Sequence, residues 1–154
     1  MLPIGRLGPA PGWGKPRNSR LTHDEQRTLL TLCSISCSPL MVGGDLSVAD
    51  HWTLSLLTNP EILAVDQHSK NRRQVLETGN TVAWSSHTES GDGTYIALFN
   101  KSAEPNQVRY SWTQFGLKGA KHKVRDLWER RDLGEIESVS LSLPAHGAVL
   151  YKVD

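Results

Sequence analysis

Helical spacing of apolar residues stops near residue 70 of this 154-residue chain and does not return. Amphipathic stretches precede that point, and short alternating runs with turn signals follow it. A chain broken this way predicts two pieces of different class, because each period fixes which face can be buried. Residues 1–70 read as α/β and residues 71–154 as an antiparallel β-sandwich, so the expected fold class is α/β followed by all-β.

The first piece reads helix, buried strand, helix. Thr22 followed by Glu25 forms a capping box, and Asp24 adds negative charge to the first turn. Leu29, Leu30, Leu32, Cys33 and Ile35 then carry small and apolar positions to about residue 37. Ser38-Pro39 ends the helix, since a residue before proline avoids the helical region. The run in "PLMVGGD" predicts a short, fully buried strand over residues 40–43. Ser47 with Asp50 opens a second helix over residues 47–57, and Asn59-Pro60 restarts a short one through "EILAV". A lone buried strand needs parallel neighbours for its backbone. Residues 1–4 read as the stump of one, with most of a barrel expected in front of them. Residues 5–20, rich in glycine and proline, read as a loop.

The second piece reads as strands and turns throughout. Val82 and Trp84 alternate with polar partners, "SGDGT" signals a hairpin, and "YIALF" is a buried strand. Val108, Tyr110 and Trp112 form another alternating run. "HKVRDLW" is a strand, "RRDLGE" a turn, Val139 to Leu143 a strand, and "AVLYKV" the last one. Six or seven short strands at about 10-residue spacing predict a small sandwich. Trp84, Trp112 and Trp128 are placed in strands as core residues. Residues 72–154 are expected to fold alone, and residues 1–65 to be unstable alone.

Charge and composition narrow the function. Seventeen basic and 16 acidic residues give a formal charge of +1, with no long run of either sign, which points away from nucleic acid or an anionic membrane as partner. No apolar stretch approaches the 18 or so residues of a membrane-spanning helix. Cys33 and Cys37 lie four apart with no second Cys or His pair at ligand spacing, so they read as core residues and no metal site is expected. No Ser/Cys–His–acid order appears, and the glycines of "GGDL" and "GDGT" read as turns, not phosphate cradles; no cofactor is expected. Asp45, after the buried strand, either faces substrate at a barrel's strand-end face or caps the turn after Gly43-Gly44. Trp13 either stacks on a ligand from the loop or plugs the barrel rim. Asp50 is a helix cap.

"SPLMVGGDL", "LTNPEILAVDQ", "GTYIALFN", "FGL", "VRDLWERRDLG" and "LPAHGAVLYKV", in that order, resemble the C-terminal part of the α-galactosidase (melibiase) family, glycoside hydrolase family 27. The resemblance implies the end of a (β/α)8 barrel followed by a β-sandwich. It implies hydrolysis of terminal α-galactosides with retention, through two carboxylates about 5–5.5 Å apart. Both catalytic aspartates of the family's layout would precede Met1, so the chain alone is expected to be inactive and to need the missing N-terminal barrel half. Met1 resembles the apolar contact beside the sugar. Met1, Trp13 and Asp45 are therefore the substrate-binding candidates, the substrate being a galactoside or oligosaccharide. "VDQH" departs from the family pattern, so Asp66 and His68 are read as packing changes at the junction.

Two other functions stay open on residues alone: a free-standing carbohydrate-binding module, and a scaffold docking onto a separately encoded barrel half. The helix–strand–helix lead-in, which a binding module does not need, separates the first from the enzyme.

Overall fold

The computed structural model describes residues 1–8 and 14–154, and Trp13 lies outside the described residues. Helix α1 spans His23–Ile35 with the expected capping box: the Glu25 amide donates to Thr22 Oγ1 at 3.2 Å, and the Glu25 carboxylate accepts the Thr22 amide at 2.8 Å. Its end is a Schellman turn. Cys37 takes φ +50°, its amide donates to Ser34 O, and the Ser38 amide donates to Cys33 O at 2.8 Å. Pro39 follows and prevents continuation.

Residues 40–43 do have one parallel neighbour. Val42 pairs with Leu2; the Leu2 amide donates to Met41 O at 2.6 Å, and the Gly43 amide donates to Leu2 O at 2.9 Å. The full burial expected of this run is not found, for Met41 is 60% exposed and Leu40 and Val42 are only partly covered. An apolar run shows that cover is favourable; it does not supply the element that covers it. The expected 47–57 helix is also divided. A 3-10 turn, Leu46–Val48, is capped by Asp45, and α2, His51–Leu57, is capped by Asp50. Helix α3, Pro60–Gln67, starts with proline at its first position and with the Asn59 side chain on two of its free amides. Within the loop, β1 (Arg6–Leu7) and β2 (Arg17–Asn18) pair as a short antiparallel hairpin.

From Ser69 onward the chain is antiparallel sheet. β3 (Ser69–Thr78), β4 (Thr81–Thr88), β5 (Thr94–Asn100), β7 (His122–Asp126), β8 (Arg131–Ile136) and β10 (Ala148–Val153) form one six-stranded sheet, in the order β3-β4-β5-β10-β7-β8. β6 (Asn106–Ser111) and β9 (Ser138–Leu143) form a second, two-stranded sheet. "RRDLGE", read as a turn, is largely strand β8; the turn lies at residues 127–130, where Arg130 adopts φ +52°. Trp112 opens a 3-10 turn, Trp112–Phe115, and Trp128 sits in the turn after β7, so neither is in a strand. Both are buried as expected. The Trp112 indole donates to Ile136 O at 2.8 Å, and that of Trp128 donates to Thr31 Oγ1 at 2.9 Å.

The large sheet is covered on both faces, and strand periodicity sorts its residues. Ile96, Leu98, Val124, Tyr151 and Val153 face the small sheet, packing with Val108, Trp112, Phe115 and Leu143. Tyr95, Ala97, Phe99, Ala148 and Leu150 face the helices, packing with Leu30, Ile35, Ile62 and Val65. The helices thus bury their apolar stripes against the sheet that follows them, so residues 1–65, expected to be unstable alone, share a core with the rest of this chain. Polar ties cross the same seam. Arg125 makes a two-pronged bond to Glu61 at 2.7 and 2.8 Å, and the Arg27 guanidinium lies between the rings of Trp52 and Trp128, 5.6 and 5.4 Å from their centroids.

Candidate functional site

The end of the parallel pair is where ligands meet parallel β/α folds, because the loops leaving adjacent strands converge there. Here Gly44 lets the two loops touch: a Cβ at that position would collide with the Ile4 carbonyl oxygen. The Asp45 amide then donates to Arg6 O at 2.7 Å. Of the three sequence candidates, Met1 is 80% exposed and lies against Gly43, whereas Asp45 follows that strand by two residues. Asp45 Oδ1 accepts the Ser47 hydroxyl at 2.6 Å and the Ser47 amide at 3.0 Å, and these bonds hold its carboxyl below the usual range. It therefore caps the turn. Met1 precedes one member of the parallel pair and Asp45 follows the other, and the two do not bond each other.

Between the loop hairpin and the first turns of α1 and α2 lies a cleft of about 660 Å³, with Arg6, Asn18, His23, Gln26, Asp50 and Trp52 in its walls. The His23 ring stacks on Trp52 with centroids 4.2 Å apart. Asp50 Oδ1 accepts the Thr53 amide at 2.7 Å, which lowers its pKa. Gln26 is 6% exposed; its amide nitrogen donates to Leu21 O at 2.8 Å, while its Oε1 is buried without a partner among the described residues. The indole nitrogen of Trp52 is likewise buried and, among the described residues, unpaired. Sequence reasoning passed over both residues. The available signal was Gln26 itself, a polar residue on the covered face of α1, four positions before Leu30.

Elsewhere, acidic groups are placed for structure. Burial raises the Asp66 carboxyl, opposed by the charge of Arg72, and its Oδ1 has no partner among the described residues. Asp66 closes α3 beside Leu30 and Leu40, away from Asp45. Cys33 and Cys37 are free thiols, partly buried, with Cys37 Sγ 3.4 Å from Ser69 Oγ. Among the described residues no three His, Cys, Asp or Glu side chains converge as metal ligands. Asn100, which heads an Asn-Lys-Ser sequon, is 3% exposed and donates its amide to Glu104 O and Pro144 O at 2.8 Å, so it is committed to the fold.

Comparison with known proteins covers both pieces of the chain. Residues 78–153 match the family model described as the α-galactosidase C-terminal β-sandwich domain. The chain is 32% identical to α-galactosidase 3 of Arabidopsis thaliana, across 91% of this chain and 35% of that protein. It is 28% identical to the α-galactosidase of Cyamopsis tetragonoloba, across 91% of this chain and 36% of the relative. A crystal structure of a glycoside hydrolase family 27 β-L-arabinopyranosidase from Geobacillus stearothermophilus superposes with a TM-score of 0.91 at 41% identity, covering 100% of this chain and 36% of that one. The chain thus spans about a third of the length of the relatives it matches. With the parallel pair, its helices and the sandwich all matched in order, the chain belongs to the α-galactosidase (melibiase) family, glycoside hydrolase family 27, and corresponds to its C-terminal part.

Proposed function

We propose that the chain is the C-terminal part of a retaining glycoside hydrolase acting on terminal α-galactosides, and that it is inactive by itself. The observation that supports this best is the side-by-side pairing of Leu2 with Val42, each segment followed by a helix. Two consecutive strand–helix units in parallel are what a barrel contributes at its closing seam. On this reading residues 1–70 complete a barrel and residues 71–154 buttress it. Met1 and Asp45 then stand at the rim of the sugar site, Met1 as an apolar wall and Asp45 through the backbone turn it caps.

Inactivity of the isolated chain is supported by its carboxylates. A retaining enzyme needs two about 5–5.5 Å apart, the acid/base one with a raised pKa. Asp45 and Asp50 both have lowered pKa values and are engaged in caps. A second substrate class has its own support: the 41% identity across the whole chain is to a β-L-arabinopyranosidase. Purified chain incubated with nitrophenyl α-galactoside and nitrophenyl β-L-arabinopyranoside is expected to release no nitrophenol above the blank. Turnover abolished by Asp45→Asn would overturn this assignment. The DNA upstream of the Met1 codon is expected to continue in frame through two catalytic aspartates, and the longer product assayed on both glycosides decides the sugar.

A further inference from the structure

We propose that the cleft between the β1–β2 hairpin and the first turns of α1 and α2 binds a neutral saccharide unit, a site additional to Met1 and Asp45. The proposal rests on the glycosidase reading for the class of ligand, and on the cleft's own chemistry for the rest. Its size, about 660 Å³, suits a small ligand. One guanidinium, Arg6, and one carboxylate, Asp50, leave its walls without net charge, which favours a neutral ligand over an ion. Two residues in those walls carry unmatched hydrogen-bonding atoms of opposite kind: Gln26 Oε1 can only accept and Trp52 Nε1 can only donate. A sugar hydroxyl does both. Buried polar atoms normally have partners, so two orphans around one cleft call for an explanation that packing does not give.

Both orphan atoms are enclosed, so a hydroxyl reaches them only when a covering group moves. His23 is exposed, makes no hydrogen bond among the described residues, and lies flat on Trp52. Rotation of His23 about its side-chain bonds bares the Trp52 face for the apolar side of a sugar, whose hydroxyls then lie at the rim of the ring that carries the indole N–H. The Asn18 amide and Arg6, 3.4 Å apart at the hairpin, supply further donors at the mouth.

The test uses the full 154-residue chain, labelled with nitrogen-15, titrated with D-galactose, L-arabinose and, separately, sodium sulfate. Either sugar is expected to shift the Trp52 indole and Gln26 side-chain amide resonances saturably in the millimolar range. Gln26→Leu and Trp52→Phe should each weaken binding by about tenfold, the size expected when one well-placed hydrogen bond is lost. An unmoved Trp112 indole resonance, anchored on Ile136 O in the other core, certifies that each variant is folded. No saturable shift up to about 100 mM sugar, where even molar-scale weak binding begins to register, overturns the proposal. So do shifts indifferent to both substitutions, and so does sulfate acting at lower concentration than either sugar, which would make this an anion cleft. Because the isolated chain is assayed for binding only, an inactive longer product would refute the glycosidase function and leave this result standing.

Discussion

Strand β5 and residues 40–43 are both apolar runs set between turn residues, and the molecule treats them differently. β5 lies between β4 and β10, and all seven of its residues are buried. Residues 40–43 have Leu2 on one side, and Met41 stands in solvent. The difference lies in what each run is given to pack against. β5 has one face on the small sheet and the other on α1 and α3, so its alternating side chains fill two cores at once. Residues 40–43 rest on the helices from one side only. A strand becomes core when hydrogen-bonding neighbours and cover on both faces arrive together; hydrophobicity alone does not bring them.

The contrast is broken or sharpened most strongly by removing the helices. Residues 69–154 expressed alone would bare Phe99, Leu127 and Leu150, each worth about 1.5–3 kcal/mol on full exposure. That sum rivals the stability of a whole small domain. Contrary to the expectation from strand alternation that residues 72–154 fold alone, the expected outcome is a broad, low melt with strong binding of a hydrophobic dye. A sharp melt matching the full chain would show that the sheet needs only one covered face.

Single truncations grade the same difference. Leu150→Ala, in the shared core, should lower stability by about 2–5 kcal/mol in urea unfolding. Met41→Ala should stay within about 0.5 kcal/mol. Comparable losses at the two sites would mean that residues 40–43 have cover not accounted for by Leu2 and the helices.

At the seam, Arg125 and Glu61 are partly buried and doubly bonded. A double-mutant cycle with Arg125→Met and Glu61→Gln should give a small favourable coupling that shrinks in high salt. Zero coupling would leave the union of the two regions to apolar contact alone.

The smallest effect concerns Asp66. Its folded-state pKa is raised by burial, so the charged form at neutral pH opposes folding. Asp66→Asn should therefore raise the urea midpoint at about pH 7. The gain should vanish near pH 3, where the carboxyl is protonated in both states. A lower midpoint at neutral pH would show that attraction to Arg72 outweighs desolvation.

Much of this architecture is legible in particular residues. Thr22 and Glu25 announce the start of α1 because capping is local chemistry, and "SGDGT" announces the β4–β5 hairpin for the same reason. Burial of Trp112 and Trp128 was readable from their size, but their location was not. Ser111 ends the alternation of β6 by joining a capping pattern with Gln114, and Asp126 holds the turn under Trp128 through two amides. β8 was hidden because Asp132, Gly134 and Glu135 look like a turn; it is an edge strand, where such residues are tolerated. At the candidate site, Asp45 was located by its place after the strand. The cleft around Gln26 and Trp52 was invisible, since it joins residues of α1, α2 and the hairpin that no spacing rule links.

β10, the last of the six strands in sequence order, sits in the middle of the large sheet, between β5 and β7. A ribosome delivers the chain from its beginning, so β3, β4 and β5 emerge long before the strand that joins them to β7 and β8. Until Ala148–Val153 clears the exit tunnel, β5 and β7 both present open edges to whatever is nearby. Completion of the sheet therefore waits on this one strand. Loss of Ala148–Val153 yields not a slightly shorter protein but two unjoined half-sheets, a substrate for chaperones and proteases.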